Sequence, residues 1–225
     1  MAPIPQSVVA PTVAAIYAAY ERDADTQNRP HLGASLIGRE CARALWYDHR
    51  WCGTTRHPGR LLRLFERGQN EEAVFVANLR AAGVTVFDVN PETGGQFRFS
   101  DVGGHFGGSM DACALGILEA PKTWHVCEFK TSSNKLFQKL VKEGVEKAKP
   151  EHAAQMQCYM HWSGMTRAFY LAVNKDNDEL YSERLHYDPV TALRLIGKAA
   201  RIITATEPPE RISERPDWFQ CQWCD

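Results

Sequence analysis

The chain has 225 residues, of which 44% are hydrophobic, and its formal net charge is −1 at pH 7. This length and composition allow one sizeable hydrophobic core. The near-neutral charge excludes a protein that attracts nucleic acid through its overall field, so any such binding must rely on local patches.

Two further features concern the cellular environment. The sequence contains no run of 18 apolar residues, and its apolar N-terminus lacks a preceding basic segment. We therefore expect neither a membrane span nor a signal peptide. The seven cysteines are odd in number and scattered in spacing, which argues against a disulfide framework and predicts a reducing, cytoplasmic compartment.

Hydrophobic periodicity, taken in chain order, predicts both helices and strands. Helices are predicted over residues 8–20, 35–51, 61–82, 136–149, 150–164 and 189–205. Strands are predicted over residues 84–89, 96–102, 108–120 and 123–132, followed by a hairpin over 167–188. This order predicts an α/β fold in which helices flank a mixed central β-sheet. We expect one domain over residues 1–225, with a helical segment at 1–60 and an irregular, cysteine-containing tail at 206–225.

The predicted strand 123–132 contains "VCEFKTS", in which Glu128 and Lys130 stand two residues apart. Because side chains alternate along a strand, the two charges share one face. They could form an ion pair on a half-exposed strand. A hairpin with the preceding strand would bring Asp111 beside Glu128, and two carboxylates in a low-dielectric environment repel each other unless a cation lies between them. Oxygen ligands of this kind suit Mg²⁺ or Mn²⁺.

A third carboxylate, Glu72, lies on the predicted helix 61–82. At about 100° per residue, it falls in the middle of an apolar stripe, and Glu71 falls about 100° away on the flank of that stripe. The stripe consists of Leu61, Phe65, Gly68, Val76 and Leu79. A carboxylate on a buried face needs a cationic partner, which could be a core arginine or a metal ion.

The order of Glu72, Asp111, Glu128 and Lys130 resembles the PD-(D/E)XK nuclease superfamily. The resemblance implies a restriction-endonuclease-like core. It also implies that Glu72, Asp111, Glu128 and the carbonyl of Phe129 hold Mg²⁺ or Mn²⁺. Lys130 would then position or activate the attacking water.

Two other stretches narrow the resemblance. "PEHAAQMQCYM" places Gln155 and Tyr159 one helical turn apart, and this is similar to the QxxxY motif of RecB-type nucleases, CRISPR-associated adaptation nucleases and phage exonucleases related to lambda exonuclease. "SLIGRECARALWY", residues 35–47, resembles an N-terminal segment of the CRISPR-associated and phage enzymes. The resemblance adds Gln155 and Tyr159 to the predicted catalytic set.

Basic residues indicate where DNA could bind. Residues 39–67 contain seven arginines against three acids, and residues 130–149 contain six lysines against two acids. Such runs can neutralise phosphates, although solvated helix faces would look the same. The predicted DNA-binding residues are Ser35, Arg39, Arg43 and Lys135.

Cysteines suggest one more site. Relatives with an iron–sulfur cluster carry one early cysteine, then C-x2-C, then a last cysteine, and Cys41, Cys221 and Cys224 match the first three positions. The fourth is missing. Cys52 could replace it, or the site could be an empty remnant that holds neither a cluster nor zinc.

These features predict a metal-dependent exonuclease that hydrolyses linear duplex DNA. Resemblance to lambda-type enzymes implies 5′→3′ polarity, a phage or recombination setting and a single-strand annealing protein as partner. One alternative is a CRISPR-adaptation-like or repair nuclease that acts on single-stranded or flap DNA. Another is a non-catalytic DNA-binding relative.

Overall fold

The structure is a computed structural model, described for residues 10–24, 29–53 and 56–221. Its helices are α1 (Pro11–Asp23), α2 (Ala42–His49), α3 (Gly59–Ala81), α4 (Asn134–Glu143), α5 (Val145–Ala148), α6 (Pro150–Ser163) and α7 (Pro189–Thr204). Its strands are β1 (Leu32–Gly33), β2 (Thr85–Phe87), β3 (Phe97–Asp101), β4 (Phe106–Met110), β5 (Ala112–Leu115), β6 (His125–Ser132), β7 (Arg167–Asn174) and β8 (Leu180–His186). The predicted α/β class is confirmed. No helix in the described ranges is long and apolar enough to cross a membrane.

The larger sheet has five strands in the order β2-β5-β6-β7-β8. Strands β6 and β7 are parallel and the other neighbours are antiparallel, so the sheet is mixed. Alternation along β6 divides the core into two layers. Val126 packs into a cluster that includes residues of α2, α6 and α7, whereas Cys127 and Phe129 pack with residues of α3. The rings of Phe129 and Phe75 stack with centroids 5.2 Å apart.

The strand predicted over 108–120 is in fact two strands in different sheets. Residues up to Met110 pair with β3 in a three-stranded sheet of order β1-β4-β3. From Ala112 the chain pairs with β2 and β6 instead. Asp111 is the single residue between the two strands, so it lies where the chain leaves one sheet and joins the other.

The helix predicted over 35–51 begins later than expected. Residues 34–39 form consecutive tight turns, including an Arg39 N–H donated to the carbonyl of Leu36 at 2.9 Å. A Cβ at Gly38 would lie only 2.5 Å from the Cα of Glu151, so this segment passes directly against α6. The helix starts after Cys41, whose thiol accepts a hydrogen bond from the Ala44 amide at 3.4 Å.

The helix predicted over 136–149 is also divided, at Gly144. This glycine has φ of 74°, a conformation that residues with a Cβ rarely adopt. The next amide, of Val145, donates to the carboxylate of Glu183 at 2.7 Å. The break therefore gives α5 its own N-terminus, with an acidic side chain bound to it.

Helix α7 is held at its C-terminal end by side chains of α2 and of Arg50, the residue that follows α2. The Arg50 guanidinium donates to the carbonyls of Ile202, Ile203 and Ala205 at 3.3, 3.0 and 2.6 Å. It also lies over the ring of Trp46 at 4.2 Å, and Trp46 donates its own N–H to Ala205 at 2.9 Å. These contacts satisfy carbonyls that the end of a helix would otherwise leave unpaired.

We predict that Arg50→Met lowers the free energy of unfolding by about 1.5–3 kcal/mol, because hydrogen bonds from a charged donor are lost. Urea unfolding measures the change. Arg22→Met is the control, because among the described residues Arg22 forms its ion pair with the exposed neighbour Asp23, and its side chain is 71% exposed. Equal losses in both variants would contradict the capping role.

Candidate active site

The carboxylates singled out by the sequence meet where β5 runs beside β6. Ala112 and Cys127 are the last paired residues of β5 and β6 before β5 meets β4. Asp111, one residue earlier, therefore lies next to Glu128 and Phe129. The Phe129 amide donates to Asp111 Oδ2 at 2.7 Å. The predicted hairpin therefore forms, and a backbone hydrogen bond fixes one Asp111 oxygen in place.

Lys130 turns its ammonium group back toward these residues. Its Nζ forms an ion pair with Glu128 Oε1, donates to the carbonyl of Phe129 at 2.9 Å and lies 3.9 Å from Asp111 Oδ2. Asp111, Glu128 and the Phe129 carbonyl, three of the predicted metal ligands, therefore all lie around the Lys130 ammonium. In this structure the lysine itself supplies the positive charge.

Glu128 has no solvent exposure. Within the described residues neither of its oxygens has a hydrogen-bond partner of acceptable geometry, although Lys130 lies within ion-pair distance. Burial raises the pKa of Glu128 to about 8, and the nearby ammonium of Lys130 opposes that rise. The cost of burying this carboxylate thus exceeds what one lysine returns.

Glu72 approaches from α3. Burial raises its pKa, the charge of Asp111 raises it further, and Lys130 lowers it. Glu72 is therefore electrostatically coupled to Asp111 and Lys130, and its role as a metal ligand stays a prediction. The predicted stripe holds only in part, because Val76 and Leu79 are buried while Phe65 is 45% exposed.

Gln155 and Tyr159 lie on α6 and are both buried. The Gln155 amide donates to the Tyr159 hydroxyl at 3.2 Å. Burial raises the pKa of Tyr159, and the charge of Glu128 adds to the rise. A Cβ at Gly108 would lie 2.7 Å from this hydroxyl, so β4 admits the tyrosine only because residue 108 has no side chain.

A polar cavity of about 490 Å³ lies beside these residues. Its lining joins β3, β4, α3, α6 and the segments on either side of β1. The residues are Arg29, His31, Ala34, Ser35, Gln69, Gln96, Arg98, Phe99, Gly108, Ser109, Gln155 and Tyr159. Ser35, Gln155 and Tyr159 were expected from sequence, whereas Arg29 and Arg98 were missed because neither lies within a basic run.

A second pair of polar side chains was also missed. The Tyr170 hydroxyl of β7 lies 3.0 Å from His152 Nδ1 of α6, and their rings stack with centroids 5.7 Å apart. Burial, together with the charges of Lys130 and Lys149, lowers the pKa of His152 to about 3. The imidazole is therefore neutral, and Nδ1 can accept the tyrosine proton.

The predicted DNA-binding residues differ in their surroundings in the structure. Lys135 is exposed at the start of α4. Arg39 forms an ion pair with Asp48 at 3.0 Å. Arg43 donates to the Pro209 carbonyl at 3.1 Å and to the Tyr47 hydroxyl at 3.2 Å, which ties α2 to the C-terminal tail. The structure thus gives Arg43 partners within the protein, and its contact with DNA stays a prediction.

Cys41 and Cys221 line the same cavity of about 360 Å³. Cys52 is exposed, and Cys224 lies outside the described residues. Within the described ranges no three or more His, Cys, Asp or Glu side chains are gathered closely enough to hold a metal ion. For a cluster at the cysteines, the described residues therefore supply at most part of the ligand set.

The carboxylate site fits a divalent cation better. Its donors are hard oxygens, Glu128 carries two buried oxygens that have no hydrogen-bond partner in the described part of the chain, and a lysine already lies among them as a cation. In the present side-chain positions the carboxylates are not gathered around a metal-sized space. Movement of the flexible Lys130 side chain would open that space to a metal ion.

Comparison with known proteins identifies the fold. The alkaline exonuclease LHK-Exo from Laribacter hongkongensis, solved alone and in complex with dAMP, superposes with a TM-score of 0.56 at 18% identity, covering 84% of this chain and 90% of that one. A phage-related exonuclease from Haemophilus somnus gives a TM-score of 0.50 at 12% identity, covering 76% and 91%. No family model and no curated protein matches the chain. The chain therefore shares its fold with these exonuclease structures.

The buried carboxylate predicts a pH dependence of stability. Burial raises the pKa of Glu128 to about 8 in the folded protein, compared with about 4.3 in an unfolded chain. Stability in chelator should therefore fall as pH rises between these values, by at most about 1.4 kcal/mol per pH unit. Glu128→Gln should remove this slope in urea unfolding at several pH values. An unchanged slope would mean that the ion pair keeps Glu128 ionised throughout.

Proposed function

We propose that this chain is a metal-dependent deoxyribonuclease that digests linear duplex DNA from an end. The observation that carries the proposal is the convergence of Asp111, Glu128 and the Phe129 carbonyl on the ammonium of Lys130. The fold supports it, because the similar structures described above are exonucleases. We place the activity in a single nuclease domain.

Glu72, Asp111, Glu128 and the Phe129 carbonyl would hold Mg²⁺ or Mn²⁺, since such cations prefer oxygen ligands. A divalent cation bound there would lower the pKa of a water and neutralise charge on the scissile phosphate. Lys130, released from Glu128, would orient the water and stabilise developing negative charge. The Phe129 amide keeps Asp111 correctly oriented while Lys130 moves.

The polar cavity is the proposed binding site for the DNA strand. Arg29 and Arg98 bring positive charge to its lining, and Ser35, Gln69 and Gln155 bring neutral hydrogen-bond donors. Guanidinium groups and side-chain donors of this kind suit phosphate oxygens. We propose that the strand to be cut passes through this cavity, with 5′→3′ polarity and a single-strand annealing protein as partner of the reaction.

Removal of the proposed ligands tests the activity. Asp111→Asn and Lys130→Ala should each lower Mg²⁺-dependent cleavage of linear duplex by at least about 10²-fold, the usual effect of losing one preorganised charged group. Thermal unfolding in chelator checks that both variants fold. Near-normal turnover of either variant at saturating Mg²⁺ would remove it from the active site. A wild-type protein that binds DNA without cleaving it would favour the non-catalytic alternative.

Two adjacent glutamates provide a sharper comparison. Glu72→Gln should weaken both turnover and Mn²⁺ binding, because its carboxylate is electrostatically coupled to Asp111 and Lys130 and a neutral amide holds a hard cation poorly. Glu71→Gln should change neither quantity substantially. Mn²⁺ binding measured without DNA separates a ligand effect from a substrate effect. The reverse result would assign the metal site to the other flank of α3.

The topology of the DNA substrate tests whether cleavage requires a free strand end. We expect end-labelled linear duplex to be degraded while covalently closed circles survive, because an exonuclease needs a strand terminus. The reactions are run in parallel with nicked circles and single strands. Rapid linearisation of the closed circle would identify an endonuclease, and a preference for single strands or flaps would favour the repair-type alternative.

A further inference from the structure

The His152–Tyr170 pair lies in the layer that contains the proposed active site. Strands β6 and β7 are parallel, and Glu128 is paired with Tyr170. Paired residues of neighbouring strands point to the same face, so the phenol stands beside the Glu128 carboxylate. The next pair on this face is Lys130 with Ala172. Because alanine is small, Lys130 has space on the β7 side, and Tyr170 is a large side chain one pair away on the same face.

Tyr170 is held rigidly in this position. It has no solvent exposure, its ring stacks on His152 at an interplanar angle of 27°, and its hydroxyl lies 3.0 Å from the His152 ring nitrogen. His152 lies one turn before Gln155 on α6. The helix therefore presents His152, Gln155 and Tyr159 toward the same layer at i, i+3 and i+7.

The hydrogen bond between His152 and Tyr170 determines whether the Tyr170 hydroxyl can accept a hydrogen bond from Lys130. When the neutral imidazole carries its proton on Nε2, the Tyr170 hydroxyl donates to Nδ1, and the Tyr170 oxygen has only lone pairs left for other neighbours. Burial raises the pKa of Tyr170, and Lys130 opposes that rise, so the two groups are electrostatically coupled. An acceptor fixed beside a flexible ammonium limits the positions that the ammonium can take.

We propose that Tyr170, oriented by His152, is a positioning residue that directs the Lys130 ammonium once Lys130 leaves Glu128. This inference rests on the proposed nuclease function. Lys130 has a long, flexible side chain, and a catalytic group displaced by a small distance loses much of its effect. The tyrosine provides the rigid partner that Glu128 no longer provides when its carboxylate binds a metal ion.

The chain contains a matched control pair on the same helix. His161 Nδ1 lies 2.7 Å from the Tyr187 hydroxyl, and their ring centroids are 6.1 Å apart. His161 is nine residues after His152, about 13 Å further along α6. Both pairs join α6 to another part of the chain through the same kind of hydrogen bond, but only Tyr170 is paired in the sheet with Glu128.

The test compares Tyr170→Phe with Tyr187→Phe on linear duplex DNA in Mg²⁺. We expect Tyr170→Phe to lower kcat about 10- to 100-fold, the usual effect of losing a partner that orients a site residue. Its KM, and its affinity for DNA in Ca²⁺, should stay at the parental values. Tyr187→Phe should retain parental kcat. Thermal unfolding of both variants measures the structural cost of losing each hydroxyl.

Variants of His152 test whether the two residues act as a unit. His152→Leu removes the acceptor and should reproduce the loss in kcat, whereas His152→Gln keeps an acceptor oxygen and should restore most of it. The double variant Tyr170→Phe/His152→Leu should be no slower than the slower single variant, because coupled residues are not additive.

The outcomes separate the inference from the function on which it rests. Equal losses of kcat in Tyr170→Phe and Tyr187→Phe would overturn the inference, as would a loss confined to KM or additive effects in the double variant. In each of these cases the parent protein still cleaves DNA and the proposed function stands. A parent protein without metal-dependent cleavage would overturn both.

Discussion

The complete burial of the Glu128 carboxylate is the constraint on which the site depends. Strand β6 is the central strand of the five-stranded sheet and Glu128 on it has no solvent exposure, so the charge of Glu128 must be balanced from within the protein. Lys130 provides that balance on the same face, and the Asp111 carboxylate is fixed beside them by a backbone amide. Because burial of these carboxylates is unfavourable without a cation, the site favours binding of a cation.

Much of the geometry of the site could be predicted from the sequence, because it depends on side-chain alternation and on pairing between strands that are close in sequence. Alternation along a strand places Glu128 and Lys130 on one face, and a hairpin brings Asp111 to them. The division of residues 108–120 into two strands could not be predicted, because the apolar pattern runs through Asp111 while the pairing partner changes. Phe65 was expected on the buried stripe and is exposed, because its half of α3 lies outside the buried cluster that contains Phe75, Val76 and Leu79.

Side-chain roles were harder to predict than backbone positions. Arg43 and Arg50 belong to a basic run that resembles a phosphate-binding surface, yet both bind carbonyls of the C-terminal region. Composition cannot distinguish these two uses of a guanidinium group. His152 and Tyr170 come together from a helix and a strand, and neither carries a local sequence signal of the contact. Only the parallel register of β6 and β7 makes their position beside Glu128 apparent.

The position of Asp111 between two sheets limits how the sequence can change in evolution. Side chains of a strand alternate, so one residue inserted or deleted beside Asp111 would turn every side chain of β5 to the opposite face. Ala112 and Ala114, now buried against α3 residues, would exchange layers with Cys113. The carboxylate would at the same time leave the Phe129 amide. Length variation in this chain should therefore be tolerated in the loops after β2 and β5, and eliminated by selection at the junction of β4 and β5.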